Sequence, residues 1–171
     1  YNEFYVRFPT VLLGVLNNAI IFVIGRRLFG KKVTLLSGAV FALSSYHIVF
    51  SYEARPYVLA AFWMSLTLLF FTKIFIYSDD RRRNHKLKYL GYVIFATLSL
   101  YTHYTSALQL FVFAAWGVGQ ALFRRDGRVL RNWVLAQILV FLLFLPWFGL
   151  YVMRLERQPA PWIPSRSIWE M

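Results

Sequence analysis

Six stretches of the chain are apolar enough to predict membrane-crossing elements, and short polar segments separate them. They cover roughly 8–24, 33–52, 56–77, 89–101, 105–123 and 133–152. A bilayer-spanning helix needs about 20 mainly apolar residues, because the hydrocarbon core is about 30 Å thick and each residue rises about 1.5 Å. The fourth stretch is short by itself and nearly joins the fifth. One helix over 89–123 would hold 35 residues, or about 50 Å of rise, too long for one span. The run Tyr101-Thr102-His103-Tyr104-Thr105 is the polar place to break it, so the pattern predicts two helices and a tight turn. The expected fold is an all-α, polytopic transmembrane bundle of about six spans. The first stretch does not read as a signal peptide, because no basic leader precedes it and Arg26 and Arg27 follow it. No internal repeat and no low-complexity segment interrupts the pattern.

The basic residues collect in alternate connections. Segments 25–32, 78–88 and 124–131 hold 13 of the 19 Lys and Arg. The positive-inside tendency makes these three loops cytoplasmic, and it leaves the tail, 153–171, in an outer loop. The expected location is therefore the plasma (inner) membrane, multi-pass. Lys73, near the end of its stretch, is expected to reach its ammonium towards the basic loops. All four glutamates (Glu3, Glu53, Glu156, Glu170) fall on the outer side, and all three aspartates (Asp79, Asp80, Asp126) fall inside. The aspartates stand beside arginine runs and read as solvated loop charges. Chemistry is to be sought outside.

Composition supports this picture. The chain of 171 residues is 59% hydrophobic and 15% charged, against about 45–50% and about 25% in a soluble domain. A soluble fold and a disordered chain are both excluded. With no cysteine, disulfide frameworks, thiol nucleophiles, thiolate zinc sites and iron–sulfur clusters drop out together. A net charge of +12 on a soluble protein would point to nucleic acid. Here it lies almost wholly in the three basic loops, so it is a topology signal, and no nucleic-acid partner is implied.

The densest polar feature is the hairpin from Ser44 to Tyr57, with His47, Glu53, Arg55 and Pro56. Pro56 suits the first turn of the next helix, where its missing N–H costs nothing. Two readings of Glu53 and Arg55 stand side by side. In one, Glu53 complements the helix dipole while Arg55 and the tyrosines anchor the interface. In the other, a carboxylate and a guanidinium beside free helix N–H groups bind an anionic headgroup and act on a group attached to it. His103, in the second outer turn, is either a structural hydrogen-bonder or part of the same site. His47 reads as a polar residue bonded within the bundle, and Asn17 and Asn18 as helix–helix hydrogen-bonders. No nucleotide loop, metal-binding His pair or Ser–His–Asp grouping is present. Transporter sites tend to lie at the bilayer midplane, whereas these polar groups gather at one interface, where an enzyme acting on a lipid-linked substrate would need them. The alternatives from other classes are a multi-spanning transporter or flippase of lipid-linked substrates and a purely structural membrane subunit.

The string SYEARPY (51–57) resembles the GT-C class of membrane glycosyltransferases, in the branch of protein mannosyltransferases and lipid A aminoarabinose transferases. The resemblance runs in order along the chain through RFPTVLLGVL (7–16), GRRLFGKKV (25–33), ALSSYHIVFSYEARPY (42–57), LYTHYTSAL (100–108), LPWF (145–148) and WIPSRSIWE (162–170). It implies transfer of a sugar from a polyprenyl-phosphate donor to a lipid, glycan or protein acceptor on the extracytoplasmic side. It further implies inversion at the anomeric carbon and a carboxylate as general base. Carried over by position, Glu53 is the expected catalytic carboxylate lining the cavity, Arg55 the expected phosphate ligand, and Tyr57 and His103 cavity-lining, substrate-binding positions. No cofactor is required by the resemblance, which leaves room for a divalent cation on Glu53. The family's principal catalytic aspartate lies in a first outer loop, ahead of the stretch matched at Arg7. Residues 1–171 are thus expected to be a fragment of the membrane core, inactive alone.

Overall fold

The computed structural model describes residues 3–52, 56–76 and 85–157, and regular structure among them is wholly helical. The described helices are α1 (Glu3–Ala42), α2 (Ser45–Tyr52), α3 (Tyr57–Phe75), α4 (His85–Thr102), α5 (Ser106–Phe123) and α6 (Gly127–Arg157). Among the described residues, α1, α3, α5 and α6 are long and apolar enough to cross a membrane. Helix α4 has the length, but Lys86 and Lys88 in its first turn dilute its apolar run. The all-α expectation holds.

The element boundaries depart from the sequence pattern in instructive places. Helix α1 contains the first predicted stretch and much of the second, yet it is not a straight rod. Gly30 breaks it with φ 80° and ψ 176°, a backbone region essentially confined to glycine. The two arms, 3–29 and 31–42, then fold back on one another. A Cβ on Gly25 would lie 3.2 Å from the Thr34 side chain, and one on Gly38 would lie 3.4 Å from the Phe22 ring. In a straight helix, residues nine positions apart are about 13 Å apart along the axis. Helix α1 is therefore an antiparallel hairpin turning at Gly30, where the Thr34 hydroxyl also donates to the Gly30 carbonyl at 2.7 Å.

The predicted span 33–52 is divided at Leu43-Ser44. Ser44 N–H bonds the carbonyl of Phe41 at 3.2 Å, tightening and ending the last turn, and Ser44 O accepts from Ile48 to begin α2. The predicted break near 101–105 falls where expected, with His103, Tyr104 and Thr105 between α4 and α5. Helix α6 begins at Gly127, earlier than the apolar run, because Asp126 caps it: Oδ1 accepts from the N–H of Arg128 and of Val129, each at 3.1 Å. Asp126 is exposed, yet it does more than sit solvated in a loop.

Aromatic packing sets the order of the helices. Trp63 and Phe70 of α3 lie against Phe95 of α4, with ring centroids 5.8 and 5.5 Å apart. Because Tyr57 meets His103 while Phe70 packs on Gly91, the two helices run antiparallel. Helix α6 runs parallel to α4: Gln137 Nε2 donates to the Tyr92 hydroxyl at 3.2 Å, and the Tyr101 hydroxyl donates to the Leu143 carbonyl at 2.9 Å. At the centre, the fully buried Trp133 ring meets Phe75 at 4.9 Å and Tyr92 at 4.7 Å. Its Nε1–H donates to the Ala114 carbonyl of α5 at 3.2 Å. Gly117 and Gly91 leave the room that Trp133 and Phe70 occupy. Much of the remaining apolar surface faces outward, as with Leu108, Phe123 and Phe141, which suits a lipid solvent.

The described basic segments gather at one end of the bundle. Arg27 and Lys88 are the cations bearing on the Lys73 ammonium, and Asp126 is the charge nearest in effect to Tyr89. Lys73 Nζ lies 4.6 Å over the Phe70 ring. Tyr57 and His103 stand at the opposite end, where α3 starts and α4 stops.

Candidate functional site

Four residues were expected to form the site. Glu53 and Arg55 lie outside the described residues. Tyr57 and His103, 46 positions apart in sequence, are brought together, with ring centroids 5.4 Å apart. The antiparallel pairing of α3 and α4 makes the contact, since it sets the first residue of one helix beside the residue that ends the other. Phe50 of α2 closes on the other side of Tyr57 at 5.3 Å, edge to face.

The backbone holds His103 firmly. Its N–H donates to the Ser99 carbonyl at 2.9 Å, and its own carbonyl accepts from Ser106 at 3.1 Å. The Ser106 hydroxyl donates to the same Ser99 carbonyl at 3.1 Å, so the turn between α4 and α5 is laced from both sides. The imidazole is also oriented. Its Nδ1 accepts the Thr105 N–H at 3.3 Å and lies 2.7 Å from the Thr105 hydroxyl. A backbone N–H can only donate, so in the neutral ring the proton sits on Nε2. The Thr105 contacts thus leave Nε2–H as the donor for a ligand.

Tyr57 and His103 border a cavity of 450 Å³ between α1, α3 and the α4–α5 turn. Its polar wall is Asn17, Ser65, Thr105 and Gln109 beside the two rings, and Ile21, Met64 and Leu68 supply apolar wall. No charged side chain lines it among the described residues. Asn17 is 3% exposed, and its Oδ1 is buried without a hydrogen-bond partner in the described structure. That oxygen does not make the interhelical bond expected of Asn17. A larger hollow of 580 Å³, lined by Asp126 and the arginines around it, belongs to the opposite, basic end. No three His, Asp or Glu side chains gather among the described residues.

Asn17, Ser65, Thr105 and Gln109 were not singled out from the sequence as site residues. Thr105 and Gln109 carry only the weak signal of polar positions just beyond a turn. Asn17 carried a stronger one, an amide in mid-span, but an amide there reads equally well as a contact between helices.

A helical bundle of membrane-crossing length, with an aromatic-rimmed cavity towards one end whose described lining carries no charge and with its described basic segments at the other, has the organisation of an integral membrane protein. The chain belongs to the family described as dolichyl-phosphate-mannose-protein mannosyltransferase, whose model matches residues 1–149. That makes it part of a mannosyltransferase-like membrane glycosyltransferase that uses a polyprenyl-phosphate-linked sugar as donor. Comparison with curated proteins and with solved structures gives no match.

Proposed function

We propose that the protein transfers the sugar from its polyprenyl-phosphate carrier to a hydroxyl of a lipid, glycan or protein acceptor at the extracytoplasmic face of the plasma (inner) membrane. The anomeric centre is inverted, and segments 25–32, 78–88 and 124–131 face the cytoplasm. The observation that carries this reading is the meeting of Tyr57 and His103 at the mouth of one cavity. Arg55 and Glu53 stand two and four residues before Tyr57 in the chain.

The chemistry asks for two charged groups. The acceptor oxygen attacks the anomeric carbon and forms the new C–O bond while the bond to phosphate breaks. A carboxylate must take the acceptor proton, and Glu53, four residues before Tyr57 in the chain, is assigned that role. The departing polyprenyl phosphate gathers negative charge, and a fixed guanidinium stabilises it. Arg55 fills that role. His103 Nε2–H and the Tyr57 hydroxyl supply neutral hydrogen bonds to the substrate.

In the protein in its membrane, Glu53→Gln is expected to remove sugar transfer from a polyprenyl-phosphate-sugar donor while insertion and expression stay unchanged. Transfer at the wild-type rate in that variant would refute the role. Arg55→Lys keeps the charge but loses the bidentate fork. It should weaken the apparent affinity for the lipid donor, and an unchanged affinity would remove Arg55 from the phosphate.

A further inference from the structure

The cavity wall contains a polar group that the transfer chemistry above does not use. Asn17 stands in the first arm of α1, 3% exposed, and borders the same cavity as Tyr57 and His103. Its Oδ1 has no hydrogen-bond partner among the described residues. An unsatisfied buried acceptor is costly, and burial inside a membrane protein does not relieve it. Nearby hydroxyls and amides do not relieve it either. Gln109 and Ser65 border the same cavity, yet neither is bonded to Asn17 Oδ1. Rotation about the last torsion of the side chain exchanges Oδ1 and Nδ2, so the amide presents either an acceptor or donors to whatever occupies the space beside it.

The lining defines the occupant's chemistry. The described wall has no charge, so it does not select a phosphate or a carboxylate. It combines an amide, hydroxyls, the His103 donor and two ring faces. Neutral groups that both donate and accept fit such a wall, with C–H surfaces against the rings. These are the features of a sugar ring, and the apolar wall of Ile21, Met64 and Leu68 beside them suits the adjoining lipid rather than a free phosphate.

We infer that Asn17 is a specificity-determining residue of this cavity, hydrogen-bonding a hydroxyl of the donor's sugar ring and thereby discriminating sugar-bearing from sugar-free carrier. This rests on the glycosyltransferase reading above. It adds a residue, a contact and a direction of selectivity to that reading.

The test measures binding by the full chain in nanodiscs to polyprenyl phosphate bearing mannose, glucose or a pentose, and to the same polyprenyl phosphate without sugar. Wild-type protein is expected to prefer at least one sugar-bearing probe. Asn17→Leu, of similar size, is expected to lose about tenfold in affinity for that probe, the worth of one hydrogen bond with its desolvation. Its affinity for the sugar-free probe should not change. Thermal stability supplies an independent readout. If Asn17 only ties helices together, Asn17→Leu lowers the melting temperature and weakens both probes alike, which overturns the inference. If it reads the ligand, the apo protein is as stable as wild type or more so, because an unsatisfied buried acceptor is gone. Asn17→Ala, which leaves space without the amide, should show the same loss of discrimination. A wild type that prefers no sugar-bearing probe overturns this inference, and one that also transfers sugar from none of them overturns the proposed reaction as well. A wild type that prefers one, with an Asn17→Leu variant that still does, would refute only the role of Asn17.

Discussion

Single residues decide where these helices can touch. Gly117 faces Trp133, and a Cβ there would come within 2.9 Å of Phe75 Cζ besides meeting the indole. Trp133 and Phe75 are almost fully buried, so neither can step aside. Gly117→Ala therefore sets an intrinsic helix gain of about 1 kcal/mol against overpacking of about 1–3 kcal/mol. A net loss is expected, read as a lower melting temperature in detergent. Gly119, in the same helix, has nothing within 4 Å of its Cβ position. Gly119→Ala should raise stability by up to about 1 kcal/mol, and the pair of variants separates packing from propensity. The roles of Gly117 and Gly119 were not legible in the sequence, where both are simply glycines in an apolar run. Only the neighbour across the interface distinguishes them.

Whole elements depend on a few positions of special geometry. At Gly30 the open space around the Cβ position means that a side chain would not collide with anything, so the cost of replacing it is backbone strain alone. Gly30→Ala is expected to cost about 1–3 kcal/mol. Gly30→Asn should not rescue it, because asparagine tolerates the left-handed helical region, whereas ψ here is 176°. Recovery of wild-type stability by asparagine would show that the hairpin can turn by another route. The sequence announced a boundary in this place through the basic cluster that surrounds it. It did not announce that helical geometry would persist almost to the turning residue on both sides. Elsewhere the hydrophobic pattern underestimated α6, because capping by Asp126 begins a helix before the apolar residues do. It overestimated the second span, because a run of apolar residues does not reveal the turn at Ser44 that ends one helix and starts another.

The molecule as a whole is polarised. Its described basic segments lie at one end, and the rings of Tyr57 and His103, with their cavity, lie towards the other. The proposed orientation can be checked directly because the chain contains no cysteine. Tyr104→Cys and Arg128→Cys each introduce one exposed thiol at opposite ends. A membrane-impermeant thiol reagent applied to intact cells should label Tyr104→Cys at once. It should label Arg128→Cys only after the membrane is opened. The reverse order would invert the assignment of sides and move the site to the cytoplasm.

Sequence alone determined the class of the fold, the break at 101–105 and the separation of charge. Each of these follows from the local demand of a bilayer: an apolar run long enough to cross it, polar backbone turns at its surface, and cations held to one side. Sequence likewise carried the family resemblance and singled out Tyr57 and His103, whose rings meet beside one cavity. Tertiary structure decided what those residues meet. The Tyr57–His103 contact requires α3 and α4 to run antiparallel in one register. The unsatisfied amide of Asn17 is visible only once its neighbours are in place, because whether a buried polar atom has a partner is a property of distances between helices, which hydrophobic periodicity does not encode.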